Sequence, residues 1–266
     1  MALFGCIGVG NMGGAIALAA AKAVGGDKMV VSAKHAENAR AFAEKIGARA
    51  ADNVTAAREG HFVVLGVKPQ FMEEVLTEIA PALRENKGVV LVTMAAGLTM
   101  QNIREMAGGD YPVIRIMPNT PVKVGQGVIL YDCDDKVPAE DLNAFLQAMQ
   151  PGGMTDHLPE RLIDAGSAVA GCGPAFASLF MEALSDGGVS CGLPRQKALE
   201  YAAQTLLGTA KLMLEEKAHP GVMKDQVCSP GGSTIQGVRA LEKGAFRSAV
   251  VEAVIAAYEK NKEFIR

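Results

Sequence analysis

The run Ser229-Pro230-Gly231-Gly232-Ser233-Thr234 gathers three hydroxyls around a turn of one proline and two glycines. Small residues leave the backbone N–H groups of such a turn uncovered, and the hydroxyls direct further polar hydrogens into the same space. Apolar Ile235, Val238 and Leu241 follow at helical spacing, so the turn opens a helix. Bare amides at a helix N-terminus, reinforced by the helix dipole, favour an anion such as a carboxylate. The competing account is a plain helix cap, because Ser and Thr are ordinary N-cap residues.

A second cluster lies at the other end of the chain. Gly8, Gly10 and Gly13, with Val9, Asn11 and Met12 between them, spell G-x-G-x-x-G directly after the apolar run Leu3–Gly8 and before an alanine-rich helical run to Val24. In that context the first glycine allows the turn, the second lets a pyrophosphate approach the backbone, and the third lets helix and strand pack closely. A ribose-selective NAD site places Asp or Glu at the end of the second strand. Here the stretch is Ser32-Ala33-Lys34-His35, with no acid before Glu37. Ser32 and Lys34 suit a 2′-phosphate, which favours NADPH over NADH.

The surrounding elements place these clusters. Met29–Ser32, His61–Val67, Val89–Met94 and Val113–Met117 read as further strands, and Ala36–Ile46 as a helix. Strands alternating with helices predict an α/β domain with a mostly parallel sheet, in which ligands collect beyond the carboxyl ends of the strands. After Pro159 the strand-like runs cease. From Pro194 a long helix carries Ala198, Leu199, Ala202, Leu206, Ala210, Met213 and Leu214, widened by Ala203 and Leu207. Apolar surface over so much of a helix calls for a core or another subunit, and about a hundred residues offer few neighbours to cover it. The expected organisation is a nucleotide-binding domain over 1–158 and an all-α dimerisation domain over 159–266.

Composition narrows the classes. At 266 residues, 49% apolar and 21% charged, the chain describes one or two globular domains, and a net charge of −3 argues against a nucleic-acid partner. No apolar run is expected to reach membrane-span length, since Lys22 interrupts the most apolar early helix. The first strand begins almost at once, leaving no room for a signal peptide, and five scattered cysteines fit reduced thiols, so a cytoplasmic protein is expected. The histidines His35, His61, His157 and His219 have no ligand-like spacing, and no metal site is expected. Neither a G-x-S-x-G elbow nor a Walker loop is present. Cys172 reads as a small buried hydrophobe. A nucleotide loop plus an anion cradle suits hydride transfer to a small acid.

Taken in order, several motifs make the chain resemble pyrroline-5-carboxylate reductases over nearly its whole length. They are Gly8–Gly13, Gly66-Val67-Lys68-Pro69-Gln70, Ala95-Ala96-Gly97, Arg115 to Pro121, Gly171 to Phe176, His219-Pro220 through Asp225, and Ser229–Thr234 on to Leu241-Glu242. The resemblance implies reduction of 1-pyrroline-5-carboxylate to L-proline with NAD(P)H, the last step of proline biosynthesis. It implies a Rossmann domain followed by a helical domain interlocked across a homodimer, often within a larger ring. By motif position Asn53 would border the adenosine phosphate. Val67, Lys68, Pro69, Ala95, Ala96 and Gly97 would line the nicotinamide half, and Asn119 would stand on the cofactor side. Ser229, Gly231, Gly232 and Ser233 would hold the carboxylate, Thr234 would reach the ring nitrogen as the catalytic residue, and Glu160 and Gln226 would also meet the substrate.

Two positions depart from the family pattern: Cys172 replaces its usual Ser, and Lys217 stands where Glu is frequent shortly before the His-Pro pair. Related 3-hydroxyacid enzymes rely on a lysine near position 173 of this layout, yet none occurs between Lys136 and Lys197. A catalytically silent NADP sensor would not need the Ser229–Thr234 turn.

Overall fold

Short aliphatic runs bounded by glycine or proline become strands. The computed structural model describes residues 2–263. Its eight strands are β1 (Ala2–Ile7), β2 (Met29–Ser32), β3 (Arg49–Ala50), β4 (Gly60–Leu65), β5 (Val90–Thr93), β6 (Val113–Pro118), β7 (Gly127–Cys133) and β8 (Gly153–His157), in the sheet order β3-β2-β1-β4-β5-β6-β7-β8. Strands β1 to β6 run parallel, β7 is antiparallel to β6, and β8 is parallel to β7. The α/β reading holds, with β3, β7 and β8 added to the strands legible from the sequence.

The connecting helices are α1 (Asn11–Val24), α2 (Ala36–Ile46), α3 (Asn53–Glu59), α4 (Met72–Glu85), α5 (Met100–Ala107) and α6 (Ala139–Met149). Alternate side chains of a strand face opposite sides, and two cores result. Phe4, Phe62, Val64 and Ile114 pack with Ile16 of α1 and Phe145 of α6, whereas Ile7, Val63, Leu65 and Leu91 pack with Leu76 and Ile79 of α4.

The remaining helices are α7 (Glu160–Ala170), α8 (Gly173–Ser190), α9 (Arg195–Glu216), α10 (Pro220–Gln226), α11 (Ser233–Lys243) and α12 (Phe246–Lys262). The chain divides into two compact units: unit 1 runs to Cys172 and resumes at Ala257, and unit 2 is Gly173–Ala256. By compactness the division falls after Cys172, one helix beyond the point where the helical region begins. Helical periodicity begins at α7, but α7 belongs to the sheet: Ile163 packs with Met117 and Leu130, and Arg115 pairs with Glu160 and Asp164.

The expectation that no run reaches membrane-span length also needs correction. Residues 160–190 are long and apolar enough to cross a membrane by length and composition. They form two helices here, the first tied to the sheet by the charged pairs of Arg115 and the second facing an apolar groove within unit 2.

Candidate functional site

The strand order reverses at β1. The chain passes from β1 to β2 and β3 on one side, then returns to β4 on the other. Open parallel sheets bind ligands at such a switch point, and the glycine loop lies there. The amides of Gly8 and Val9 donate to the Ser32 carbonyl at 3.0 and 3.3 Å, and Gly66 N–H donates to the Ile7 carbonyl at 2.7 Å. Three strand ends thus converge on Gly8, whose φ of +90° favours glycine. A Cβ on Gly13 would lie 2.0 Å from the Gly8 oxygen, and one on Gly66 2.4 Å from the same atom, so the three backbones pack without side chains.

The N-terminus of α1 is open to an anion. Its N-cap, Gly10, offers no side-chain hydrogen bond, the first turn holds no acid, and a Cβ on Gly10 would meet nothing within 4 Å. The start of α5 is different: Thr99 accepts from the Asn102 amide in a capping box, and the Met100 amide donates to Glu160. An uncapped, acid-free helix start behind a glycine turn fits the pyrophosphate of a dinucleotide.

The other residues read as cofactor contacts follow the ends of the parallel strands. Val67, Lys68 and Pro69 follow β4, Ala95, Ala96 and Gly97 follow β5, and Asn119 follows β6. Ser32 is buried at the end of β2, and its hydroxyl donates to Asn53 Oδ1 at 2.7 Å, so it orients Asn53. Asp52 caps α3 just before Asn53, and its hydrogen bonds from Thr55 hold its carboxyl below the usual range. Lys34 is exposed, its Nζ 5.5 Å from the centre of the Phe71 ring. Asn119 uses both ends of its amide within unit 1, donating to the Ala170 carbonyl and accepting from Val128 N–H, each at 2.9 Å. It pins the end of β6 to α7 and β7.

The residues read as substrate contacts divide between the units. Gln226 ends α10 in unit 2, and Ser229–Thr234 lead into α11. Gly231 has φ +70°, and Gly232 N–H donates to the Ser229 carbonyl at 3.0 Å. The N-cap of α11 is Gly232, with no side-chain cap bond, so capping by Ser or Thr is not what the turn does. Glycine at N-cap fits the extended φ/ψ required there, and the amides that open α11 keep no side-chain partner. Glu160, in contrast, opens α7 in unit 1. His219 acts locally, since its Nδ1 accepts from Gly221 N–H at 3.1 Å and caps α10.

Thiol chemistry finds little support. Burial pushes the Cys6 thiol up to about 12, and burial also raises that of Cys133. The feature that residue types did not reveal is Arg115, 2% exposed and shared by two carboxylates of α7. Its place in the Arg115–Pro121 motif was visible, but its partners lie more than forty residues further on.

Comparison with known proteins accounts for both ends of the chain. Residues 160–264 match the family model for pyrroline-5-carboxylate reductase dimerisation, and residues 3–97 match that for coenzyme F420-dependent NADP oxidoreductases. Pyrroline-5-carboxylate reductase from Pisum sativum is 39% identical over 261 residues, which cover 97% of this chain and 94% of that one. The chain belongs to the pyrroline-5-carboxylate reductase family. The reductase of this family from Plasmodium falciparum, solved with NADP bound, superposes with a TM-score of 0.87 at 30% identity, covering 98% of this chain and 97% of that one. The reductase from Coxiella burnetii gives 0.88 at 31% identity, with the same coverage. As a pyrroline-5-carboxylate reductase family member, the chain is an NAD(P)-dependent oxidoreductase, and its glycine loop lies in unit 1.

Proposed function

We propose that the chain reduces 1-pyrroline-5-carboxylate to L-proline, with the nucleotide held by the loop of unit 1 and the substrate carboxylate seated on the N-terminus of α11. The observation that carries this reading is the uncapped start of α11, with Ser229, Ser233 and Thr234 around it. A substrate carboxylate there supplies the acceptor that the helix lacks. NAD(P)H supplies the hydride. The α1 amides take the pyrophosphate, and Lys34 with Asn53 favours the 2′-phosphate of NADPH.

Few side chains need to act. A protonated cyclic imine is already a strong hydride acceptor, so alignment dominates, and correct placement of reactants removes roughly 7–11 kcal/mol of barrier. A threonine hydroxyl is too weak an acid to protonate the imine by itself. Thr234 Oγ1 accepts from the iminium N–H and fixes one face of the ring, while Gln226 and the Ser229–Ser233 amides and hydroxyls fix the carboxylate. Addition of the hydride to the C=N carbon leaves a secondary amine, which takes its second proton from solvent.

The test follows NADPH oxidation on adding 1-pyrroline-5-carboxylate. Thr234→Ala is expected to lower kcat/KM about 10- to 100-fold, the loss of one hydrogen bond to a charged group. Unchanged kinetics across pH would remove Thr234 from the reaction, and no oxidation by the native chain would remove the activity.

Unit 2 also calls for a second copy, and a homodimer in the cytoplasm is the reading we favour, with a ring of dimers as its extension. Among the described residues α11 and α12 bury no side chain, while Leu179 and Leu214 are 67% and 69% exposed. A groove of about 1120 Å³ runs along the unit, lined by Phe176, Leu179, Phe180, Leu184, Phe246 and Val250. Apolar surface of this extent marks an interface. Phe180, whose ring lies 5.7 Å from that of Phe246, is central to it. Phe180→Asp is expected to yield inactive monomers by sedimentation; a native assembly state in that variant would count against the groove as the dimer seat.

A further inference from the structure

Arg115 is among the largest fully buried side chains in the protein. A guanidinium removed from water requires partners, and α7 supplies two of them one helical turn apart. Arg115 Nη2 meets Asp164 Oδ1 at 2.9 Å, and Nη1 meets Glu160 Oε1 at 3.4 Å. Residues four apart share one helix face, so both carboxylates reach the same cation.

Glu160 does more than pair. The same Oε1 accepts from the backbone N–H of Met100 at 2.8 Å, and its own N–H donates to Asp132 Oδ2 at 2.6 Å. Asp132 Oδ1 in turn lies 3.1 Å from His157 Nε2. One residue therefore joins α7 to β6 through Arg115, to β7 through Asp132, and to the first residue of α5. Met100, where the β5–α5 loop ends, stands three positions after Gly97 in that loop. A buried ion pair is weak evidence for stability, because apolar replacements of similar volume frequently serve as well or better. Its geometric effect is the fixing of a loop end.

We infer that Glu160 and Arg115 are positioning residues for the cofactor: they hold the far end of the β5–α5 loop through the Met100 amide and so set the nicotinamide half of the site. This rests on the reading that Ala95, Ala96 and Gly97 line the nicotinamide. It replaces the expected substrate contact of Glu160 with an action through the loop. Glu160 Oε1 is already engaged twice, and its backbone is fixed by Asp132.

The test uses the full-length protein without substrate. NADPH and its nicotinamide-free fragment, 2′-phospho-ADP-ribose, are titrated separately into the native chain, Glu160→Ala, Glu160→Gln and Arg115→Met. Glu160→Ala is expected to weaken NADPH binding roughly 3- to 30-fold, the range for residues that act through a network. Fragment binding and the KM for 1-pyrroline-5-carboxylate at saturating NADPH are expected to stay within about twofold of native. Glu160→Gln, whose amide oxygen still accepts from Met100 N–H, is expected to recover most of the loss. Arg115→Met is expected to reproduce Glu160→Ala; should it fail to fold, the two Glu160 variants decide alone. Three outcomes would overturn the inference: a raised substrate KM with NADPH affinity intact, equal losses for NADPH and the fragment, or a lowered melting temperature with binding unchanged. Native protein that binds NADPH but does not oxidise it with 1-pyrroline-5-carboxylate sinks the proposed activity and leaves the binding comparison decisive here.

Discussion

Gly13→Ala is expected to abolish measurable NADPH binding and to lower the melting temperature. An alanine Cβ at this position would lie 2.0 Å from the Gly8 carbonyl oxygen and 3.2 Å from Gly66 Cα. Both neighbours are backbone, so no flexible side chain can swing away. Either α1 must retreat from β1 or the Gly8–Gly10 turn must open. Overpacking of this kind costs about 1–3 kcal/mol of stability. The functional loss is larger, because the amides at the start of α1 hold the pyrophosphate only while the turn keeps its shape, and a displacement of about 1 Å costs roughly 100-fold in rate. Gly10→Ala makes the informative contrast. Its added methyl would meet no protein atom within 4 Å, so folding is expected to be native while the approach of the phosphates is blocked. Thermal melts and NADPH titration of the two variants separate packing from binding. Native NADPH affinity in Gly13→Ala would show that the close approach of α1 to the turn does not shape the site.

The glycine loop was legible because each of its residues answers to a local requirement: a turn at Gly8, open space at Gly10, and contact between backbones at Gly13. The same holds for α2, whose bounds follow from periodicity and from Gly47, a left-handed C-cap. Strand β8 was harder to see, since Gly153-Met154-Thr155-Asp156-His157 buries no residue fully and carries polar side chains at the sheet edge. Strand β7 gave no local sign that it would run against β6. The unit boundary depends on Arg115 finding Asp164, forty-nine residues away, which periodicity does not encode. At Ser229–Thr234 propensity pointed to a hydroxyl cap, yet the chain places Gly232 at the N-cap. That difference strengthens the case for a ligand, because it leaves hydroxyls and amides available together. The width of the α9 stripe exceeds what one chain covers: among its residues only Ala198 and Ala202 are buried, and Leu199, Leu207 and Leu214 are exposed.

Ser233→Asp is expected to eliminate proline formation while leaving the fold and the nucleotide loop intact. Ser233 is the first residue of α11, and an acid in the first turn of a helix interacts favourably with its dipole, by about 0.3–1 kcal/mol. Stability is therefore expected to hold or rise slightly. The new carboxylate would occupy the position proposed for that of the substrate and repel it. Lost hydrogen bonds to a charged ligand are worth about 1.5–3 kcal/mol each, so kcat/KM is expected to fall at least roughly 100-fold, mainly through KM. NADPH binding without substrate is expected to be native, because the glycine loop and the strand ends that shape it belong to unit 1. Ser233→Ala removes the hydroxyl without adding charge, keeps the backbone amide, and is expected to lose about tenfold, the low end for one hydrogen bond to a charged ligand. The order of the two variants distinguishes an anion seat from a cap. A cap serves α11 alone, and its replacement by Asp would be neutral for catalysis; a carboxylate seat is disabled by the very substitution that steadies the helix. A native KM in Ser233→Asp would place the substrate elsewhere.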